Sequence, residues 1–386
     1  MRIAYLCKRQ YMNHDVIVDR YARLYEQPYQ LALLGHDVLG LCPSYRPIDE
    51  IDISHAAVPG ALHWKGLSPG SHRWETPLGI AGYAARIVKV LRDFKPDILV
   101  AASDCFHVIL GGRAARRLEV PFAADLYDHF ETFGLARIPG VISAYRRELR
   151  QASLVSCVSE PLADLIKSLG TAGDVIALPS TIDRTIFHPR ERNACRQALG
   201  LPLDAKLLGT AGALSEEKGI KPLYSAFEQL SPHLEDLHLV LAGSIDPNCP
   251  PPQGDRVHFL GKLPHQKAAM LFSALDVGVV YIRDTPYGRY SFPQKAYEMA
   301  ACGTPMAVAR VGAMAALCQE IPATLYSAES ASELASCISH QLLSPVRMRD
   351  SAPSWGEQAL VLSEKFNRIV QDWRARSGSS QSTTHR

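Results

Sequence analysis

The chain has 386 residues, which at roughly 150 per domain suggests two or three domains. Its 41 Lys and Arg against 39 Asp and Glu leave a net charge of +2, which argues against a dedicated nucleic-acid binder. With 47% hydrophobic and 21% charged residues, the composition supports a sizeable core and excludes wholesale disorder.

The first predicted element is a short buried strand from Arg2 to Leu6. A helical pattern follows from Tyr21 to Leu34, closed by Gly35, and then a strand from His36 to Cys42. The alternation continues with helix Ile80 to Phe94, strand Asp97 to Ala102, helix Phe106 to Leu118 and strand Val120 to Leu126. Strand Leu154 to Val158 leads into helix Pro161 to Leu169, with Ser159 as its N-cap. The second half repeats the rhythm: strand Lys206 to Thr210, helix Ile220 to Leu230, strands Leu237 to Ala242 and Val257 to Leu260, a helix through Ala274, and strand Val277 to Tyr281. Strands alternating with helices predict parallel sheets covered on both faces. Two doubly wound domains are expected, with a hinge near residues 179–190 and a disordered tail over 376–386.

No apolar run approaches the roughly eighteen residues of a spanning helix, and Met1 to Arg9 has too short an apolar core for a signal peptide. The nine cysteines are scattered without a Cys-x-x-Cys pair, so neither a disulfide framework nor a zinc site is indicated. A cytoplasmic location is expected. The first strand runs into Lys8-Arg9-Gln10-Tyr11 without the glycines of a dinucleotide site. Gly212 to Gly219 is an incomplete Walker A sequence, and no Asp-x-Asp pair is present, so no metal and no cofactor are expected. The informative stretch is Tyr290-Ser-Phe-Pro-Gln-Lys295-Ala-Tyr-Glu298-Met-Ala-Ala-Cys-Gly303-Thr-Pro305. It predicts a loop feeding a helix, with Pro293 in the first turn, Gly303 at the end and a strand from Met306 to Ala309. Lys295 and Glu298 share a helix face at i, i+3 spacing, where a carboxylate can accept hydrogen bonds from two vicinal hydroxyls; an ordinary surface ion pair is the plainer alternative.

This stretch resembles the donor-site signature of the group 1 glycosyltransferases of GT-B fold, many of which retain anomeric configuration. Glu298 matches the second glutamate of their pair, and Pro293, Lys295, Glu298, Met299 and Ala300 match a known variant of the motif. Other segments agree in order: Gly35-His36-Asp37-Val38, Pro179 through Asp183 to Phe187, Gly212 to Lys218-Gly219, Phe259-Leu-Gly261, and Trp355 before a last helix. The resemblance implies two Rossmann-like parallel-sheet domains facing across a cleft. They would be an acceptor-side domain over 1–185 and a nucleotide-sugar domain over 186–354, with a helix over 355–375 crossing back to the first. Two departures stand out. Tyr290 replaces the first glutamate, and Ala213 replaces the arginine before the Lys-Gly turn.

The resemblance also implies roles. Lys218 would contact the leaving diphosphate, while Glu298 would bind the donor ribose. Lys295, Tyr290, Ser291 and Phe292 would join the donor site, with Arg289 or Arg283 as substitutes for the missing arginine. Gly243, Ser244 and Leu263 would meet the base. Asp128 or His129, after a strand of the first domain, would orient or deprotonate the acceptor hydroxyl. The expected partners are a nucleotide sugar and a glycan or lipid-linked acceptor, with no nucleic acid. Basic and aromatic clusters at Arg113, Arg116 and Arg117, at Tyr145, Arg146, Arg147 and Arg150, and around Trp64 and Trp74 suggest contact with an anionic membrane; a plain solvated surface is the alternative. The function implied is hexosyl transfer from a nucleotide-diphosphate-sugar in polysaccharide biosynthesis, with retention favoured. Tyr290 and Ala213 keep open a non-catalytic subunit that binds a nucleotide sugar or a partner enzyme, and a nucleotide-sugar 2-epimerase of the same architecture is a second alternative.

Overall fold

The computed structural model describes all residues except 13, 44–49, 69–76, 293 and 382–386. The chain divides into two compact units, Met1–Pro179 with Pro353–Arg386, and Ser180–Ala352.

The first unit is built on an eight-stranded sheet. In spatial order its strands are Asp174–Ala177, Leu154–Cys157, Phe122–Leu126, Ile98–Ala102, Arg2–Leu6, Asp37–Pro43, Ala61–Leu67 and Ile51–His55. All pairs are parallel except the last, which is antiparallel. The strands at 98–102 and 122–126 are buried along their whole length, as parallel strands covered by helices on both faces should be. Helices Ala22–Leu33, Pro77–Phe94, Cys105–Leu118, Val141–Gln151 and Glu160–Ser168 belong to this unit. The helix Trp355–Gln381 buries Ala359, Leu362, Phe366 and Val370 in the same core as Leu24, Leu31 and Trp64. It runs past residue 376, so the segment expected to be disordered from there is helical as far as Gln381.

The second unit holds six parallel strands in the order Val257–Phe259, Leu237–Ile245, Lys206–Leu214, Val277–Val280, Met306–Ala309 and Leu325–Tyr326. One apolar layer centres on Phe272, Met299 and Leu271, and the other on Leu223, Leu239 and Ile338. In both sheets the strand order reverses beside the first strand of the unit. Arg2–Leu6 lies between Asp37–Pro43 and Ile98–Ala102, and Lys206–Leu214 lies between Leu237–Ile245 and Val277–Val280. At such a reversal the connecting helices leave on opposite faces, which opens a crevice at the carboxyl ends of the strands.

Candidate active site

At the reversal point of the second sheet, Gly212 and Gly243 are register partners on adjacent strands, with φ of +131° and +130°. A Cβ on Gly243 would collide with the Gly212 carbonyl oxygen, so only glycine lets the two backbones approach this closely. The Gly243 amide donates to the Gly261 carbonyl at 2.8 Å and is not available to a ligand. Ser244 is exposed, and Leu263 is partly buried against the core.

Tyr281, directly after the neighbouring strand, donates its hydroxyl to the Ala213 carbonyl at 2.7 Å. Lys295 rises from the helix Gln294–Ala301, and its Nζ donates to Thr210 Oγ1 at 3.2 Å while lying 4.5 Å from the centroid of the Tyr281 ring. Glu298, one turn further on, is half-buried. Its carboxylate makes no hydrogen bond to any described residue. Burial raises its pKa to about 7, against a lowering pull from Lys295. Burial lowers that of Lys295 to about 8, opposed by Glu298. With no protein partner among the described residues, this carboxylate is free to accept hydrogen bonds from a ligand carrying two hydroxyls.

Lys218 sits in the turn Ser215–Gly219, its backbone amide on the Ser215 carbonyl at 3.2 Å. Its Nζ lies 4.0 Å from the Tyr287 ring centroid, and it forms no ion pair among the described residues. Tyr287 belongs to the short helix Pro286–Tyr290, and Tyr290 ends that helix half-exposed. The Ser291 amide donates to the Tyr287 carbonyl at 3.0 Å. It therefore closes the preceding helix. The Phe292 ring stacks on Tyr297, centroids 4.5 Å apart. Pro293 lies outside the described residues. Arg289 and Arg283 are neutralised, by Asp284 at 2.5 Å and Glu329 at 2.8 Å.

The first sheet carries a second cluster at its own reversal point. The Lys8 amide donates to Ser103 Oγ at 2.8 Å, and its ammonium lies 5.0 and 5.6 Å from the Tyr11 and Tyr127 ring centroids. Burial lowers the Lys8 pKa, partly opposed by Asp104, Cys7 and Asp128. Ser103 is fully buried at φ +86°, a left-handed conformation that costs a non-glycine residue about 1–3 kcal/mol and concentrates at functional sites. Asp104 accepts from the His107 amide at 2.9 Å and from its Nδ1 at 2.8 Å. Burial alone would raise the Asp104 pKa, but His107 and Lys8 bring it below the usual value. Asp128 and His129 follow the strand Phe122–Leu126, Asp128 accepting from the His129 amide at 2.8 Å. Sequence reasoning missed Asp104 and His107, although Asp-x-x-His at a strand-to-helix junction is a capping signature.

The expected basic and aromatic surface is corrected in part. Trp64 and Tyr145 are core residues, 0% and 1% exposed, Trp64 occupying the space that a Cβ on Gly40 of the neighbouring strand would need. Arg116 and Arg147 pair with Glu148, and Arg146 with Glu131. Arg150 donates to the Leu169 carbonyl at 2.9 Å. Trp74 lies outside the described residues. Arg113 and Arg117 remain, exposed and without ion pairs among the described residues, and are joined by Arg92, which lay outside the expected clusters. They rim an apolar groove of about 890 Å³ lined by Ala81, Ala85, Val88, Phe106 and Ile109. No helix among the described residues is long and apolar enough to cross a membrane.

Comparison with known proteins agrees with both halves. Residues 22–180 match the family described as a glycosyl transferase 4-like domain, and residues 205–344 that described as glycosyl transferases group 1. A putative teichuronic acid biosynthesis glycosyltransferase, TuaC, of Bacillus subtilis is 29% identical over 225 residues, covering 53% of this chain and 57% of the relative. A D-inositol 3-phosphate glycosyltransferase 2 of Catenulispora acidiphila is 25% identical over 249 residues, covering 58% and 57%. The chain spans little more than half the length of these curated relatives. Among solved structures, a sucrose-phosphate synthase from Thermosynechococcus elongatus superposes with a TM-score of 0.67 at 19% identity, covering 98% of this chain and 99% of that one. HepE of Anabaena, in complex with UDP-glucose, gives 0.63 at 17% identity, covering 98% and 100%. At these identities the structural likeness speaks for the fold. With the two matched domains following one another over 22–344, the chain belongs to the group 1 glycosyltransferases of GT-B fold.

Proposed function

We propose that this protein transfers a hexosyl group from a nucleotide-diphosphate-sugar to a glycan or lipid-linked acceptor in surface-polysaccharide synthesis, without a metal. The observation that carries this reading is Glu298, a half-buried carboxylate without a hydrogen-bond partner among the described residues, in the same unit as the uncompensated Lys218. In the mechanism, the Glu298 carboxylate accepts from the donor ribose hydroxyls. The Lys218 ammonium faces the diphosphate and stabilises the charge that grows there as the bond to the anomeric carbon breaks. Asp128 or His129 orients the acceptor hydroxyl and receives its proton. Retention of configuration is favoured. Because HepE is described with UDP-glucose and TuaC with teichuronic acid biosynthesis, UDP-sugars come first among the donors to test.

The test is a thermal-shift panel of UDP-, GDP-, dTDP- and CMP-sugars on wild type and Glu298→Ala, each with and without EDTA. A ligand at 100 times its Kd stabilises by about 2.7 kcal/mol, a shift of several degrees. A shift with one base, insensitive to EDTA and lost in Glu298→Ala, is the expected result. The absence of a shift with every nucleotide favours the non-catalytic, partner-binding subunit that Tyr290 and Ala213 leave open.

The same reading includes peripheral contact with an anionic membrane through the groove rimmed by Arg92, Arg113 and Arg117. Sedimentation with phosphatidylglycerol vesicles should be salt-sensitive, since each arginine near an anionic surface contributes about 1 kcal/mol, and should fall at least tenfold in the triple alanine variant. Equal sedimentation of the variant discards the membrane contact.

A further inference from the structure

We propose that Lys295 is the second diphosphate-binding cation of the donor site, taking over from the family's arginine that this chain lacks at Ala213. The inference rests on the donor-site reading above and adds to it the residue that binds the diphosphate beside Lys218.

The geometry carries it. Lys295 stands on the helix Gln294–Ala301, yet its Nζ reaches back to the carboxyl end of the strand Lys206–Leu214. There it donates to Thr210 Oγ1 at 3.2 Å, and a Cβ on Gly212 would lie only 3.3 Å from it. The ring it overlies, Tyr281, is the one whose hydroxyl holds the Ala213 carbonyl at 2.7 Å. The ammonium is thus fixed beside Gly212, the residue immediately before Ala213.

Its surroundings leave the charge available. An aromatic face and one hydroxyl hold Lys295, and no carboxylate lies within ion-pair distance of it among the described residues. The two arginines of the donor loop differ in this respect. Arg289 is engaged by both oxygens of Asp284, at 2.5 and 3.2 Å, and Arg283 by Glu329 at 2.8 Å. Either would have to leave its partner and be desolvated before it met a ligand. Burial already lowers the Lys295 pKa to about 8, so above that pH a diphosphate must first restore the proton, and binding draws one from solution.

The experiment is calorimetric titration of uridine and of UDP (or of the nucleoside and nucleoside diphosphate that the panel selects). It uses wild type, Lys295→Met, Lys295→Arg, Arg289→Ala and Glu298→Ala, between pH 7 and 9.5. Lys295→Met should weaken the diphosphate about 100-fold, the scale for removing one partner of a buried charge pair, while nucleoside affinity stays within twofold. Lys295→Arg should recover most of the loss. Wild-type affinity for the diphosphate should fall as pH rises through 8, and that fall should be flattened in Lys295→Met. Three results overturn the assignment: diphosphate affinity unchanged in Lys295→Met, a loss shared equally by the nucleoside, or a loss that appears in Arg289→Ala instead. A wild type that binds no nucleoside diphosphate overturns the donor-site reading, and this assignment falls with it. Diphosphate binding that Glu298→Ala abolishes and Lys295→Met leaves intact overturns this assignment alone.

Discussion

Lys218→Ala should lower turnover about 100- to 1,000-fold, the loss seen when a single preorganised electrostatic donor is removed from an enzyme site. The reason is that Lys218 is held without being neutralised. Its Nζ lies 4.0 Å from the Tyr287 ring centroid, an attraction of about 0.5–2 kcal/mol, and no carboxylate pairs with it among the described residues. A cation in that state stabilises charge that appears only as the donor bond breaks, so the loss should fall mainly on kcat. The side chain projects from a turn, so its removal should leave the unfolding midpoint within a few degrees of wild type; the activity loss then cannot be ascribed to unfolding. Donor-dependent release of nucleoside diphosphate is the measurement, with Lys218→Arg as the charge-conserving comparison. Half of the wild-type rate in Lys218→Ala would remove the residue from the mechanism.

The parts of the fold legible in the sequence are those whose burial is uniform. Ile98–Ala102 and Val277–Val280 are continuous apolar runs and are buried throughout, so run length and flanking polar residues suffice to find them. Two of the elements that were missed bury little. Arg192–Leu199 buries only Cys195 and Arg196, and Ile51–His55, an antiparallel edge strand, buries only His55. Neither leaves an apolar period to detect. Ala331–Leu343 is a different case. Ser330 caps Glu333 at 3.3 Å, and the Ser-x-x-Glu pattern that announces this start is present in the sequence.

At the site, legibility follows distance along the chain. Lys295 and Glu298 are three residues apart, and local spacing with the family resemblance was enough to pair them. The partners that define what Lys295 does are not local: Thr210 is 85 positions away, and Tyr281 reaches it from the next strand in the sheet. Only the parallel register of Lys206–Leu214 with Val277–Val280 brings them together. The same holds for Asp104 and Lys8, which meet because Arg2–Leu6 and Ile98–Ala102 are neighbours at the reversal of strand order.

The largest effect on stability should come from Arg23 and Asp125. Asp125 interrupts the buried strand Phe122–Leu126, and the two residues are 1% and 4% exposed for Asp125 and Arg23. The guanidinium is bidentate, Nε to Oδ2 at 2.9 Å and Nη2 to Oδ1 at 2.6 Å. Nη1 donates to the Leu178 carbonyl at 2.7 Å, and Ser156 donates to Oδ1 at 2.6 Å. Every arm of the pair is satisfied, so it ties the helix Ala22–Leu33 to the sheet and to the last residues of the first unit before Ser180. Removing one partner strands the other as a buried charge, at about 3–5 kcal/mol. Arg23→Met and Asp125→Leu should therefore each destabilise the first unit by that amount, whereas the double variant should recover much of it because both charges go together. All four tryptophans lie within the first unit's chain segments, so urea unfolding followed by tryptophan fluorescence reads this unit alone. Single variants that each cost less than 1 kcal/mol, or a double variant no better than the worse single, would show that the pair is not a buried, mutually compensating charge.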